Sequence, residues 1–503
     1  MTTSSAATAS STNSTMHPRG LYTLFFTEMW ERFSYYGMRA LLVLFMTATI
    51  ADGGLGFDDV RATAIYGLYT AAVYLVALPG GWIADRMLGA QRCVWYGGIV
   101  IMCGHFILAI PAEATFYIGL IVVVLGTGLL KPNVSAIVGE LYPQGGGACD
   151  AGYTIFYMGI NLGAMLGPLV CSALGESSRF GWHYGFAAAG FGMLLGLVQY
   201  RLTSKHLGDA GRFPAHLQAG VDSEAAPKYA WLSVGTGLAV IVLVTTLALT
   251  GVIKISALVL AQYSTYVIAT LAASFFAYLY LFGRLDSDEK KRVGVIMVLV
   301  MCAAVFWSGF EQTGSSFSLF AERYTDRVFF GFEIPTGWFQ SINAIFILIC
   351  SPFLAALWVN LARRNLNPSI PMKFVLGLVQ LGLGFLVMVF AAKMVAAGDS
   401  VLPTWLILTY LLHTTGELCL SPVGLSAICK LAPKRFASQM MGIWFLGFSL
   451  GNLIAGLLAG RFDPNSLEQM PNLYLQIAFM AIGSGLLVLI FLKPLKKMMG
   501  NVE

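Results

Sequence analysis

Apolar stretches of about twenty residues recur along nearly the whole chain, each long enough at 1.5 Å per residue to cross about 30 Å of hydrocarbon. In lipid every backbone N–H and C=O has to be satisfied within its own segment, so a string of such stretches folds as helices. Composition agrees: 57% of the 503 residues are hydrophobic and only 11% charged, which excludes an ordinary soluble domain. The small-residue patterns GINLGAMLG and GNLIAGLLAG lie between apolar flanks, so they read as sites of close helix approach rather than loops.

The predicted spans fall into two groups of six: 21–50, 61–85, 92–110, 115–140, 150–173 and 181–203, then 291–316, 337–361, 370–396, 402–430, 435–460 and 472–495. The fold expected is all-α and polytopic, with a six-helix bundle over 21–203 and another over 291–497. Between them lie a polar linker at 204–228, an additional hairpin at 229–283 with few polar side chains, and a short linker at 284–290, for about fourteen spans. The hairpin is expected to pack outside the bundles. Residues 1–20 are rich in Ser, Thr and Ala and read as a tail without fixed structure. They lack the charged start and short apolar core of a signal peptide, so no cleavage is expected.

Lys and Arg cluster in alternate connections. One set holds Arg86 and Arg92; Arg201, Lys205, Arg212 and Lys228; Arg284 and Lys290 to Arg292; Arg363, Arg364 and Lys373; Lys430, Lys434 and Arg435; and Lys493, Lys496 and Lys497. The intervening connections carry only scattered cations. Basic loops stay in the cytoplasm, which predicts that both termini are inside and argues against nucleic acid as a partner. The eight cysteines show no CxxC or zinc spacing and read as small core hydrophobes. No HExxH, GxSxG or Walker motif appears, so neither an enzyme nor a metal or cofactor site is expected.

Against this apolar background, FTEMWERFSYYGMRALLVLF at 26–45 stands out. At 100° per residue Glu28, Glu31, Arg32, Tyr35, Tyr36 and Arg39 share a sector of about 140°. A charge at membrane depth costs about 2.5 to 3.5 kcal/mol, so a one-sided set implies a polar interior where the charges pair. Arg32 can clamp Glu28 and Glu31 locally, but Arg39 has no acid nearby and must find one elsewhere. Lys131 in the fourth span, Glu311 in the seventh and Glu417 in the tenth are the other buried-charge candidates. The first group then sums to plus one and the second to minus two, so a cavity between them is bipolar. Prolines 79, 132, 168 and 422 interrupt their spans and are candidate bending points.

Two six-helix groups and the loop GGWIADRMLGAQR, with Asp85, Arg86, Gly89 and Arg92, resemble the major facilitator superfamily. Gln91 stands where that signature is often basic. More specifically, ExxERFSYYGMR, the FYMGINLGA stretch, and Lys131, Trp307, Glu311, Glu417 and Trp444 resemble the proton-coupled oligopeptide transporter family of prokaryotic type, over nearly the whole chain.

That resemblance implies import of di- and tripeptides, and of peptide-like drugs, with protons as coupling ion, across the bacterial cytoplasmic membrane. It implies proton coupling at Glu28, Glu31 and Arg32, and places the peptide carboxylate at Arg39 and Lys131 and its amine at Glu417. Asn161 and Asn343 would hold the peptide backbone, while Tyr36, Tyr69, Tyr157, Trp307, Phe310, Ser421 and Trp444 would shape the pocket. Arg39–Glu311 and Lys131–Glu417 are the expected gating pairs.

Duller roles exist for several of these: inter-helix bonds for the asparagines, packing for the tryptophans, and a simple latch for Lys131–Glu417. His105 and His413 read as core histidines. A related anion or amino-acid carrier and a non-transporting peptide sensor are the alternative functions, the first opposed by Glu311 and Glu417 facing Arg39 and Lys131.

Overall fold

The computed structural model describes residues 17–144, 146–214, 228–461 and 467–500. Most of the expected tail and residues 215–227 of the expected linker lie outside the described residues. The helices are α1 (Arg19–Thr47), α2 (Asp59–Leu75), α3 (Ala77–Ile83), α4 (Ala90–Leu108), α5 (Glu113–Glu140), α6 (Gly146–Gly175) and α7 (Trp182–Thr203) in the first half. Next come α8 (Lys228–Leu249) and α9 (Ala257–Phe282). The second half has α10 (Ser287–Phe310), α11 (Ser316–Tyr324), α12 (Ser341–Arg363), α13 (Ile370–Ala396), α14 (Thr404–Leu431), α15 (Ala437–Ala459), α16 (Met470–Ile490) and α17 (Leu492–Met499).

Among the described residues, ten helical stretches are long and apolar enough to cross a membrane. Helices α1, α4, α7 and α14, of 29, 19, 22 and 28 residues, add four more long helices. The composition of α1 shows why hydropathy alone passes it over: it carries Glu28, Glu31, Arg32 and Arg39.

Several boundaries differ from the sequence expectation for identifiable reasons. Helix α1 starts at Arg19, two residues earlier than expected. Helix α10 starts at Ser287 rather than 291, because Asp286 accepts from the Asp288 and Glu289 N–H groups while Glu289 reaches back to the Asp286 N–H, a reciprocal cap that removes most of the expected 284–290 linker. Asp58 caps α2 by accepting from Arg61 N–H at 2.8 Å. Pro79 sits in the short α3, and the span then widens into a π-turn over Ala84–Leu88 before Gly89, at φ 79°, ends it. Pro352 lies inside α12, a proline the sequence reading left out.

A small two-stranded ribbon, Val328–Phe329 with Phe332–Glu333, pairs antiparallel between α11 and α12. This is a departure from a wholly helical fold.

Small residues bring the helices together as their pattern predicts. Gly167 of α6 backs onto the main chain of α1 at Phe33 and Gly37. Gly456 of α15 meets Gly67 of α2, so a Cβ on Gly67 would lie 3.0 Å from the Gly456 Cα and 3.1 Å from the Asn452 carbonyl. That second contact joins the two halves backbone to backbone. Helix α9 packs on α2 and α15, whereas none of the apolar stretch of α8 is buried by the rest of the protein.

Candidate functional site

Helix α1 is held between α6 and α7, and its polar face is buried: Glu28, Glu31, Arg32 and Arg39 are at most 5% exposed. The close approach of Gly163 to Met29 O and Arg32 Cβ fixes where the Arg32 side chain leaves the helix. Arg32 Nε lies 2.8 Å from Glu28 Oε1 and 2.6 Å from Glu31 Oε2. These are ion-pair distances, but the Nε–H is aimed at neither oxygen; both Glu31 oxygens and Arg32 Nε and Nη2 lack a hydrogen-bond partner among the described residues. One cation is thus shared by two carboxylates.

The leftover Arg39 finds its acid in the other half. Its Nη2 donates to Glu311 Oε2 at 2.7 Å, and its Nε donates to Tyr66 Oη, also at 2.7 Å. Tyr66 in turn donates to the same Glu311 oxygen at 3.4 Å. Glu311 is presented there because α10 ends at Phe310 and the chain tightens into a 3₁₀ turn over Glu311–Gly314 before α11. Gly314 faces the Tyr66 hydroxyl, so a Cβ there would displace the Tyr66 ring. The triad ties α1 and α2 to the turn after α10.

The second expected pair is apart. Lys131 of α5 sits with its Nζ 4.1 Å from the Tyr74 ring centroid, a cation–π contact. Glu417 of α14 accepts from Asn343 Nδ2 of α12 at 3.1 Å, and Asn343 also donates to Thr414. Neither residue makes an ion pair among the described residues. Tyr157, half-exposed on α6, lies within electrostatic reach of Glu417. Asn161 donates to the Tyr157 carbonyl one turn earlier on α6 rather than across helices.

Tyr36 faces Arg39, whose guanidinium carbon is 5.5 Å from its ring centroid, and Ser421 lies part-buried one turn beyond Glu417. Trp307, Phe310 and Trp444 belong to an aromatic stack: Trp307 packs on Phe310 at 5.0 Å and on Phe448 at 4.6 Å, and Phe448 on Trp444 at 5.5 Å. Trp444 is 1% exposed. Tyr69 stacks on Tyr35, and among the described residues its hydroxyl has no hydrogen-bond partner. His413 lies among Phe310, Phe317 and Phe385 with Nε2 3.1 Å from the Leu381 carbonyl, and His105 is buried with neither ring nitrogen partnered among the described residues.

Sequence reasoning missed Tyr66, Tyr74 and a set of ties between the halves at the Arg39–Glu311 end. Arg323 of α11 holds Asp59 at the start of α2 with two parallel bonds of 2.7 and 2.8 Å. Glu176, just past α6, accepts from the N–H groups of Thr336 and Gly337, where the chain enters α12. Trp338 Nε1 donates to the Leu169 carbonyl and Ser341 Oγ to that of Met165. Asp59, Arg323 and Glu176 sit at or near helix ends, and no local pattern marks their partners.

Comparison with known proteins gives this geometry a setting. A family model described as POT family matches residues 91–473. The peptide transporter YePEPT of Yersinia enterocolitica is 42% identical over 497 residues, covering 97% of this chain and 96% of that protein. The di-/tripeptide transporter of Lactococcus lactis subsp. lactis is 36% identical over 503 residues, covering 97% of each. Among solved structures, a mutant of peptide transporter POT in complex with alafosfalin aligns with a TM-score of 0.87 at 39% identity over 96% of both chains. A POT family transporter in complex with 5-aminolevulinic acid aligns at 0.85 and 33% identity, covering 95% of this chain and 97% of the other.

Proposed function

This chain belongs to the POT family, and from that membership we propose that it is a proton-coupled symporter that imports di- and tripeptides by alternating access. The observation that carries the reading is the state of Lys131 and Glu417. They are opposite charges on opposite halves, and each rests on a neutral group, Tyr74 or Asn343. A zwitterionic peptide offers a carboxylate to one and an ammonium to the other, with Asn161 and Asn343 near its amides. Arg39 joins the carboxylate side once it leaves Glu311. The names of the relatives, and the alafosfalin held by one solved neighbour, support peptides and peptide-like drugs as cargo.

Proton coupling is assigned to Glu28, Glu31 and Arg32. A zwitterion carries no net charge, so membrane potential alone cannot concentrate it; one companion proton adds about 2.3 kcal/mol per 100 mV. Glu31, buried with unpartnered oxygens beside a shared Arg32, is the place to load that proton. Protonation weakens the hold on Arg32 and changes the charge balance beneath Lys131, which lies within electrostatic reach of Glu31, Glu28 and Arg32.

Fourteen spans, arranged as two bundles with α8 and α9 as an added hairpin, fit the long helices. The basic connections support a reading in which both termini lie in the cytoplasm of a bacterial cell and the Arg39–Glu311 end is the outer one. In this reading the protein stands with its outer end tied and its inner site unlatched. The protein purified into proteoliposomes should accumulate labelled dialanine above its external concentration when the outside is acidic, and a protonophore should abolish the accumulation. Saturable binding without uptake would identify a sensor instead.

A single amino-acid-like zwitterion is a second reading, favoured by the 5-aminolevulinic acid in a solved relative. Competition for dialanine uptake by 5-aminolevulinate distinguishes a broad site from a peptide-only one.

A further inference from the structure

On the flank of the first half, away from the interior charges, two cavities meet end to end. One, of about 320 Å³, is a groove between α4 and α7 lined by Trp95, Ile99, Met102, Leu197 and Val198. The other, of about 460 Å³, lies where α7 runs out into residues 204–212 and is lined by Gln91, Arg201, Lys205, Asp209 and Arg212. Arg201 and Leu202 line both.

The sequence builds each part. On α4, Gln91, Trp95, Ile99 and Met102 follow one another at steps of four, four and three, a single stripe along the helix. The basic cavity has a constructed floor: Gln91 Nε2 donates to the carbonyls of Gly208 and Ala210 at 3.0 and 2.8 Å, and the Gln91 N–H donates to that of Gly211. Glu140 of α5 accepts from the Gly211 N–H, fixing the same turn from the other side. Gln91 is the residue that departs from the superfamily loop signature, and its amide, unlike a cation, leaves the cavity's charge to Arg201, Lys205 and Arg212. Asp209 pairs with Arg212 at 3.2 Å and offsets one of them. Trp95 stacks on Tyr200 at the junction, an aromatic pair of the kind found at the membrane–water boundary.

We propose that this paired cavity is a binding site for an anionic glycerophospholipid, with one acyl chain in the α4–α7 groove and the phosphate among Arg201, Lys205 and Arg212. The commitment to a lipid follows from the join: a basic chamber opening directly onto an apolar groove matches an amphiphile with an anionic head, and a free anion would use only the first. Basic pockets between helices on the cytoplasmic side suit such head groups. The assignment to the inner leaflet rests on the orientation proposed above; the binding itself does not.

Native mass spectrometry of the detergent-solubilised protein tests it without any transport step. Phosphatidylglycerol should be retained about tenfold better than phosphatidylcholine of the same chains. The combined variant Arg201→Gln, Lys205→Gln, Arg212→Gln should lose that preference to within about twofold, and Lys205→Gln alone, at an exposed position, should weaken it by a few fold. Neutralising the separate cluster Lys493, Lys496 and Lys497 should leave it intact. Glycerol 3-phosphate at millimolar concentration should not displace the lipid. Equal retention of the two lipids, an unchanged preference in Lys205→Gln and the combined variant, or displacement by glycerol 3-phosphate would each overturn the proposal.

Discussion

The Glu28–Glu31–Arg32 cluster and the Arg39–Glu311 pair are buried to a similar degree but partnered differently. Glu28, Glu31 and Arg32 lie within one turn of α1, so their association survives any movement of the halves. Glu311 gives its carboxylate to Arg39 and Tyr66 of the opposite half, and that contact exists only when the halves meet at that end. A cluster held within one helix can change protonation without moving anything large. A pair made across an interface changes partner only when the interface moves. The proposed function assigns the proton to the first arrangement and the gate to the second.

The comparison breaks most severely if the local cluster is not the proton site. Glu31→Gln, and to a similar extent Glu28→Gln, should reduce gradient-driven dialanine accumulation by at least about tenfold while exchange of labelled for unlabelled peptide continues. Accumulation equal to the parent's would move the proton site to Glu311. Next in size is Glu311→Gln, which leaves Arg39 buried without its anion; breaking such a pair costs about 3 to 5 kcal/mol where the other partner stays buried. Uptake should fall severalfold or more while gel filtration still gives a single folded species. An unaffected initial rate would show the cross-half pair to be a bystander.

A smaller effect is expected at the Asp59–Arg323 tie. Asp59→Asn or Arg323→Gln removes two charge-assisted bonds worth about 1.5 to 3 kcal/mol each, discounted because Arg323 is partly exposed. Uptake should change a few fold in either single variant, and exchanging the two residues, Asp59→Arg with Arg323→Asp, should restore much of it. Failure of the exchange to restore activity would mean that the residues act separately.

The mildest test concerns pH. Burial raises the Glu176 carboxyl above its ordinary value, against the N–H groups of Gly337 and Thr336 and the charge of Arg327. Glu322 is also nearby and feels Glu176 as a like charge. A carboxyl raised in the tied state holds its proton better there than in the open or unfolded state. Its contribution to the tied state is therefore complete below the ordinary carboxylate range and fades as pH rises through the raised value. Glu176→Gln should flatten the pH dependence of thermal stability in that window, with a shift of a few degrees at most. An unchanged pH profile would remove Glu176 from the account.

What the sequence made legible follows the same division. The α1 cluster could be read because its members are three and four residues apart on a helix whose periodicity is known. Arg39's need for a distant acid could be inferred, and Glu311 is that acid. The choice among Tyr66, Tyr69 and Tyr74 could not be made: Tyr69 lies about 60° to one side of Tyr66 around the helix and Tyr74 about 80° to the other, and which of them faces α1 or α5 depends on how α2 is rotated. Packing at Gly67 against Gly456 sets that rotation, a contact between segments nearly four hundred residues apart. Asp59–Arg323 was hidden for the same reason. The ribbon at 328–333 escaped notice because two-residue strands carry no periodic signal.

The central claim is that a positive half and a negative half read the two ends of one zwitterion, and competition by end-blocked peptides tests it most directly. Uptake of labelled dialanine should be inhibited by free dialanine, and about ten- to a hundredfold more weakly by both N-acetyl-dialanine and dialanine amide, since each lacks one charge-assisted contact of about 1.5 to 3 kcal/mol. Equal inhibition by all three would contradict the account.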